Sequence, residues 1–251
     1  IRGNVMARLF DGSDDYLTKA AAIFSGVSAS DYNITLAAWV RPDNRHNGVI
    51  MGADDGSTNN ERFSIWTRSG YFDLRYLGSY IETGSTVYSN SNTTWFHIAG
   101  VFEYDNRILY VNGASEATNT TNTSLDMSGA DNFYIGRDRT GKYFDGAIAE
   151  AAAYSVSLSA SEIASLSAGV SPLLVNPDAL IGYWPLGGAY TANDADTDLV
   201  GGHALTDNGS PAAAGEAHPP VIYPSLPIVI AAAAGGQAAR AMHHYRMLRC
   251  S

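Results

Sequence analysis

Apolar and polar side chains alternate in short runs along most of this chain. In the run YNITLAAWVR, residues 32–41, every second side chain from Ile34 to Val40 is apolar, and Trp39 falls on the other face. A strand that is apolar on both faces is covered on both sides, so we predict a central strand here. The run RFSIWTR, residues 62–68, has the same period of two and predicts another strand.

Turn residues separate these runs at the spacing of an antiparallel sheet. Glycines divide three short runs between residues 62 and 83, which predicts a meander. The runs WFHIAGVFEY and RILYV, residues 95–104 and 107–111, are joined by an Asp-Asn pair that tolerates positive φ, as a tight hairpin requires. The pattern predicts an all-β fold, a two-sheet antiparallel sandwich of many short strands.

Two Phe-Asp-Gly turns bracket this strand-rich region. The first lies in LFDGSDDYL, residues 9–17, and the second opens FDGAIAEAAAY, residues 144–154. We interpret them as the two ends of one sandwich. First and last strands are then neighbours, and Asp145 is expected near Asp11.

A short helix is predicted directly after the second turn. Ser159 and Glu162 have the spacing of a capping box, and Gly169 stands where a C-terminal cap is expected. We expect this helix to cover one open end of the sandwich.

The composition changes at Pro211, where a proline-rich stretch leads into an alanine-rich end with late basic residues. We therefore predict an N-terminal extension at residues 1–6, a domain at 7–210 and a C-terminal arm at 211–251. Nothing in its sequence indicates that the arm folds alone, so it is expected to become ordered by packing on a partner. That partner is either another copy of the chain or a neighbouring structural subunit.

The motifs FDGSDDYL, ITLAAWVRP, ERFSIW, TTWFHIAGVFEYDNRILYVNG, FYIGRD and FDGAIAEAAAYSVSLSASEI follow one another over roughly residues 7–168. Their order resembles the laminin-G-like, concanavalin-A-like lectin jelly roll. The resemblance implies two packed antiparallel sheets. In many relatives Asp-Glu-Val follows the second Phe-Asp-Gly, whereas this chain has Ala149-Glu150-Ala151. A stretch similar to residues 182–206 precedes the first turn in relatives, so this chain resembles a circularly shifted version.

Charge and motifs exclude several classes of function. The formal net charge of −10 argues against a nucleic-acid partner and against an anionic membrane surface. The apolar run at residues 226–234 is too short to span a bilayer. The chain lacks the serine-hydrolase, zinc-protease and phosphate-loop motifs, and its strands lack the carboxylate cluster of glycan hydrolases. We predict that the protein is not an enzyme.

Two groups of aspartates are candidate calcium ligands, since calcium prefers carboxylate and carbonyl oxygens and laminin-G-like modules often hold one such ion. The alternative is that Asp-Gly pairs only turn the chain. The first group lies at the Phe-Asp-Gly turns and the second in a late acidic loop: Asp11, Asp14, Asp15 and Asp145, then Asp194, Asp196 and Asp198.

Aromatic residues of the meander are candidate sugar contacts, because aromatic rings stack on the apolar face of a sugar while nearby amides and carboxylates bind its hydroxyls. The candidates are Trp66, Tyr71, Tyr76 and Tyr80. Packing within the meander explains the same residues equally well.

Two functions remain open at this point. The first is a non-catalytic structural or adhesive subunit, outside a cell or on a virion surface, that self-assembles through residues 211–251. The alternative is a carbohydrate-binding lectin module that is calcium-dependent if the aspartates converge.

Overall fold

Fifteen strands form two antiparallel sheets in the computed structural model, which describes residues 6–20, 23–24, 32–54, 61–76, 79–82, 85–121, 132–187, 197–209 and 211–224. The strands are β1 (Met6–Asp11), β2 (Tyr16–Lys19), β3 (Asn33–Pro42), β4 (Gly48–Asp54), β5 (Glu61–Arg68), β6 (Tyr71–Tyr76), β7 (Ser79–Glu82), β8 (Phe96–Glu103), β9 (Arg107–Val111), β10 (Ala114–Asn119), β11 (Asn132–Ile135), β12 (Asp145–Tyr154), β13 (Leu180–Trp184), β14 (Thr206–Asn208) and β15 (Ala212–Ala217). One helix, α1 (Ala160–Ser167), and a 3-10 turn, Pro172–Leu174, follow β12. The predicted all-β sandwich is confirmed.

The eight-stranded sheet has the order β10-β9-β8-β3-β12-β1-β15, and β13 also pairs with β12. Strand β12 therefore has three partners. It pairs with β3 along both halves, with β1 from Asp145 to Ile148, and with β13 from Ala151 to Tyr154. Glu150 lies at the β-bulge between the two halves, with a φ of 55°. The bulge is where the neighbour changes from β1 to β13.

The seven-stranded sheet has the order β14-β2-β11-β4-β5-β6-β7. Its inner face packs on the inner face of the other sheet. As predicted, alternate side chains of β3 from Ile34 to Val40 lie in this core, and so do Phe63 and Ile65 of β5. Because side chains alternate along a strand, the neighbouring residues face outward.

The two Phe-Asp-Gly turns lie side by side, as predicted. Asp11 pairs with Asp145 across β1 and β12. Phe10 and Phe144 are fully buried and meet edge to face with ring centroids 6.4 Å apart. The first strand of the domain is therefore a neighbour of the strand that ends the motif series.

The helix forms where it was predicted but does not cover an open end of the sandwich. Ser159 and Glu162 make the reciprocal bonds of a capping box, and Gly169 follows the helix with a φ of 86°. Ile163 and Leu166 pack on the outward side chains of β3 and β8, in a second apolar cluster outside the eight-stranded sheet. The helix covers that face because alternate residues of these strands are small and apolar there.

A segment at residues 218–224, called the strap, lies in the same outer layer as the helix. Its Ile222 N–H donates to the Gly169 carbonyl at 2.6 Å, and the Ser171 N–H donates to the Ile222 carbonyl at 3.1 Å. The outer face of the eight-stranded sheet is thus covered by the chain itself.

Two strands lie where the sequence predicted none. Strand β10 lies in a stretch for which no strand was predicted, and β15 lies in the region predicted as an arm. Strand β15 is rich in alanine and glycine, which favour strands poorly, and it forms by pairing with β1. Residues 211–224 therefore pack on their own domain, whereas residues 1–5 and 225–251 lie outside the described residues. The boundary at residue 211 stays a prediction.

A substitution at Gly146 tests how closely the backbones of β3 and β12 approach each other. A methyl group at this position would lie 2.2 Å from the Arg41 carbonyl oxygen, and the φ of 140° disfavours other residues. We expect Gly146→Ala to lower the free energy of unfolding by about 3 kcal/mol or more, measured by urea denaturation.

Gly202→Ala is the matched control, since Gly202 has a φ of 71° and open space around it. Conformational strain alone predicts a cost of about 1–2 kcal/mol. Equal losses in the two variants would contradict the close-packing argument.

Candidate functional site

The outer face of the seven-stranded sheet carries a cluster of aromatic, basic and acidic side chains. We call it the Arg137 face and define it by Tyr16, Asp54, Ser64, Trp66, Tyr134, Arg137 and Asp138. Strands β2, β11, β4 and β5 supply its strand residues, and the turn after β11 supplies the last two. The helix lies on the other sheet, so it does not cover this face.

Arg137 is stacked on tyrosine rings. Its guanidinium carbon lies 3.6 Å from the ring centroid of Tyr16 and 5.6 Å from that of Tyr134. Both tyrosines face outward because the core takes up Leu17 in β2 and Phe133 in β11. The Tyr143 ring lies 6.3 Å from the Tyr16 ring and extends the cluster.

The turn after β11 holds Arg137 in place. Gly136, with a φ of 91°, donates its N–H to the Ile50 carbonyl and accepts from the Phe144 N–H. The Asp138 carboxylate accepts from the Thr140 hydroxyl and from the Lys142 N–H, which closes the turn. Arg137 is therefore carried by a turn that is bonded at both ends.

A small depression lies beside Arg137, and its volume of about 10 Å³ is close to what one water molecule needs. Its polar lining consists of Asp54, Ser64, Tyr134, Arg137 and Asp138. Burial and the nearby Asp54 carboxylate raise the pKa of Tyr134, while the two arginines Arg137 and Arg139 oppose that rise. Of these polar residues Arg137 is half-buried and the other four are buried, so Arg137 is the one that reaches solvent.

The predicted sugar-contacting residues lie in different surroundings. Trp66 is 2% exposed, its Nε1–H donates to the Ser64 hydroxyl at 2.6 Å, and the guanidinium of Arg75 lies 4.6 Å from the ring centroid. Tyr76 is 4% exposed within the core between the sheets. Tyr71 is half-buried, and the side chain of Tyr80 lies outside the described residues. Packing accounts for Trp66 and Tyr76, and a ligand role for the four stays a prediction.

Three of the predicted calcium ligands meet at the first Phe-Asp-Gly turn. Asp11, Asp14 and Asp15 each place a carboxylate oxygen within 4.8 Å of the others. Hydrogen bonds from backbone N–H groups, first of all that of Ser13, lower the pKa of Asp11. Burial, and then the charge of Asp11, raise the pKa of Asp15. We call this group the acidic turn.

Asp145 is adjacent to the acidic turn but is not part of it. Its carboxylate accepts a hydrogen bond from the Asn44 side chain, and its backbone carbonyl accepts from the Asp43 N–H. Burial, and then the charge of Asp43, raise its pKa.

Asp198 organises the loop that follows β13. Its two carboxylate oxygens accept four backbone N–H groups at 2.9 Å, those of Tyr183, Val200, Gly201 and His203. These four hydrogen bonds give Asp198 a structural role, because they hold the backbone of the loop. Asp194 and Asp196 lie outside the described residues, so the second predicted calcium group stays a prediction.

A second group of ionisable residues lies under the strap and was not predicted. Glu150 is 3% exposed, and its carboxylate accepts from the Tyr183 hydroxyl and, at 2.6 Å, from the Tyr223 hydroxyl. His218 Nε2 lies 3.3 Å from the same carboxylate, while its Nδ1 lies 2.7 Å from the Pro219 carbonyl. A carbonyl only accepts, so Nδ1 carries a proton, and a second proton on Nε2 would make this contact an ion pair. These groups are buried, so we assign them a structural role.

His97 lies at the edge of the same layer. Burial lowers its pKa to about 3, and its ring meets the Trp39 ring edge to face at 5.3 Å. The imidazole is therefore neutral at physiological pH, which fits a packed side chain.

Sequence patterns contained little signal for Arg137 or Glu150. Arg137 lies in a charged turn between strands, where an arginine is ordinarily solvated. Glu150 interrupts the alternation of side chains along β12 only because it lies at a bulge. One signal was present: an isolated acid in an alanine-rich, fully buried strand needs partners.

Comparison with known proteins places the chain in one structural group. A family model described as the concanavalin A-like lectin/glucanases superfamily matches residues 11–164. None of the curated protein sequences matches the chain.

Solved structures share this fold. A candidate carbohydrate-binding protein from Bacteroides ovatus is similar over 83% of this chain, with 20% identity and a TM-score of 0.59. The chain spans 59% of that protein's length. The heptameric SAP-like pentraxin of Limulus polyphemus is similar over 66% of this chain and 82% of its own, with 15% identity and a TM-score of 0.49.

The Glu150 cluster generates a stability prediction. Glu150→Gln keeps the shape of the side chain but removes the charge that accepts two tyrosine hydroxyls. Because breaking a buried charged network is costly, we expect a loss of about 3–5 kcal/mol in urea denaturation.

Glu103→Gln is the control, since Glu103 is half-buried at the end of β8. A substitution near the surface is expected to change stability by no more than about 0.5 kcal/mol. A loss below about 1 kcal/mol in Glu150→Gln would show that the cluster does not hold the strap.

Proposed function

Because the chain belongs to the concanavalin A-like lectin/glucanases superfamily, we propose that it is a non-catalytic carbohydrate-binding module whose binding surface is the Arg137 face. The observation that carries the proposal is the stack of the half-buried Arg137 on Tyr16 and Tyr134. Aromatic rings and a mixture of donors and acceptors are what a sugar requires.

The two outer faces of the sandwich differ in a way that supports this choice. The face of the eight-stranded sheet is covered by α1 and the strap. Of the residues that define the Arg137 face, Tyr16 and Arg137 are half-buried and the other five are buried, while the neighbouring Tyr143 is half-buried and Arg139 is exposed. Side chains that are partly exposed can contact a ligand without local unfolding.

The likeness to the Bacteroides ovatus protein agrees with this proposal, and at 20% identity it is evidence for the fold alone.

The role outside a cell or on a virion surface remains part of the proposal. Self-assembly through residues 211–251 stays a separate prediction, because residues 225–251 lie outside the described part of the chain. None of the helices that the structure describes has the length and apolar character to cross a bilayer.

A calcium ion at the acidic turn also remains a proposal. Asp11, Asp14 and Asp15 fit such an ion in donor type and spacing, and they would supply three of the six to eight oxygens that calcium takes. Binding would relieve the repulsion that raises the pKa of Asp15. One oxygen of Asp11 already accepts the N–H groups of Ser13 and Asp14.

Tyr16→Ala tests the sugar-binding surface. We expect the full chain to bind at least one class of oligosaccharide on a glycan array, and Tyr16→Ala to weaken that binding about tenfold because the stacking ring and the support of Arg137 are lost. Calorimetry with the oligosaccharide found on the array measures the change.

Tyr104→Ala, at the β8–β9 hairpin, is the matched control because Tyr104 is also half-buried. It should bind like the unaltered chain. A blank array would contradict sugar binding, and release of new reducing ends from a bound glycan would contradict the non-catalytic role.

Asp14→Asn tests the acidic turn, since no backbone N–H is seen to depend on the Asp14 carboxylate. We expect millimolar calcium to raise the melting temperature of the unaltered chain, and this shift to disappear in Asp14→Asn. Mass action predicts a gain of about 2.7 kcal/mol at a hundredfold excess over Kd.

Asp105→Asn serves as the control, because Asp105 is an exposed acid at a distant hairpin. A melting temperature that does not respond to calcium in the unaltered chain would show that the acidic turn only shapes the backbone.

A further inference from the structure

We propose that the Arg137 face selects an acidic saccharide and that Arg137 binds its carboxylate or sulfate group. The inference rests on the proposed function and names the class of sugar. It begins from the state of one side chain, the guanidinium of Arg137.

The guanidinium of Arg137 donates no hydrogen bond to the described residues. Its Nε is buried without a hydrogen-bond partner, and none of the acids in the described residues forms an ion pair with its guanidinium. Its contacts are with the faces of Tyr16 and Tyr134. Stacking uses the flat faces of a guanidinium, and since Nε is buried, the terminal N–H groups are the donors left for a ligand.

Other arginines among the described residues use their donors within the protein. Arg8 pairs with Asp207 at 2.5 Å, and Arg41 pairs with Asp43 at 3.0 Å. Arg45 and Arg107 donate to backbone carbonyls instead. Arg137 differs from these four because its contacts are with aromatic rings.

The acids beside Arg137 are already bonded. The Asp138 carboxylate accepts from Thr140 and Lys142, and Asp54 accepts from the Asn132 amide at 3.2 Å. Neither of them pairs with the guanidinium, although both line the depression.

The charge around the site is locally positive. Arg137, Arg139 and Lys142 lie in one turn with Asp138, and Asp54 lines the same depression, so three basic side chains stand against two acids. The effect of both arginines on the pKa of Tyr134 shows that they lie near its hydroxyl. In a chain of net charge −10, this turn is a local site for an anion.

The chemistry of the guanidinium favours a planar or tetrahedral oxyanion. Its fork donates two parallel hydrogen bonds to a carboxylate, and it matches sulfate oxygens in the same way. A neutral sugar would leave these donors to water. Acidic sugars are therefore expected to bind more tightly than neutral sugars of the same length.

The test is calorimetry on the full chain with three oligosaccharides of equal length: an oligouronate, a sulfated oligosaccharide and a neutral one. We expect one of the two acidic ligands to bind at least tenfold more tightly than the neutral ligand, and the comparison identifies which acid group is recognised. Arg137→Gln should lose this preference, with a 10- to 100-fold loss for the acidic ligand.

Two further variants separate a specific contact from general charge. Arg139→Gln removes the same charge from the same turn and should cost less than threefold. Arg137→Lys keeps the charge but not the fork, so it should remain at least fivefold weaker than the unaltered chain. Melting curves of all variants confirm that they are folded, and Arg137→Lys carries the test if Arg137→Gln is not.

Three outcomes would overturn the inference. Equal affinity for neutral and acidic ligands would leave the proposed sugar binding intact and remove the preference. Equal losses in Arg137→Gln and Arg139→Gln would show diffuse attraction instead of a contact at Arg137. Absence of binding to all three ligands and to a glycan array would overturn both this inference and the proposed function.

Discussion

The pairing of β12 with β1, β3 and β13 is the constraint on which the sandwich depends. Nine of the ten residues of β12 are buried, because the core lies on one side and the outer layer on the other. Five alanines allow this close approach even though alanine favours strands poorly. Glu150, at the bulge, redirects the strand from one neighbour to the next, and its carboxylate is stabilised by Tyr183 and the strap.

This arrangement gives the two sheets different roles. The eight-stranded sheet is the inner layer of the molecule, with the core on one face and the helix and strap on the other. The seven-stranded sheet has its core on one face and the Arg137 face on the other. The proposed binding surface thus lies apart from the outer layer that α1 and the strap form on the other sheet.

Much of the architecture was predictable from the sequence because period-two alternation and turn chemistry are local signals. The strand at residues 32–41, the hairpin at 95–111, the capping box at Ser159 and the neighbouring Phe-Asp-Gly turns all followed from such patterns. Strands β10 and β15 were not predictable, since an edge strand with small or polar residues is determined by its partner strand. The helix covers a sheet face because side chains distant in sequence meet there.

The site was less predictable than the fold. Asp11, Asp14 and Asp15 converge as their spacing suggested, because the turn itself brings them together. Trp66 and Tyr76 had the expected residue type, but exposure depends on tertiary packing, and both rings are covered. Arg137 was missed because an arginine in a turn has no periodic signal, and its significance appears only when two strands place Tyr16 and Tyr134 beneath it.

The position of the strap gives the molecule a direction. The described chain reaches Pro224 in the outer layer of the eight-stranded sheet, on the side of the sandwich opposite the Arg137 face. A contact made through the strap would therefore leave the Arg137 face uncovered.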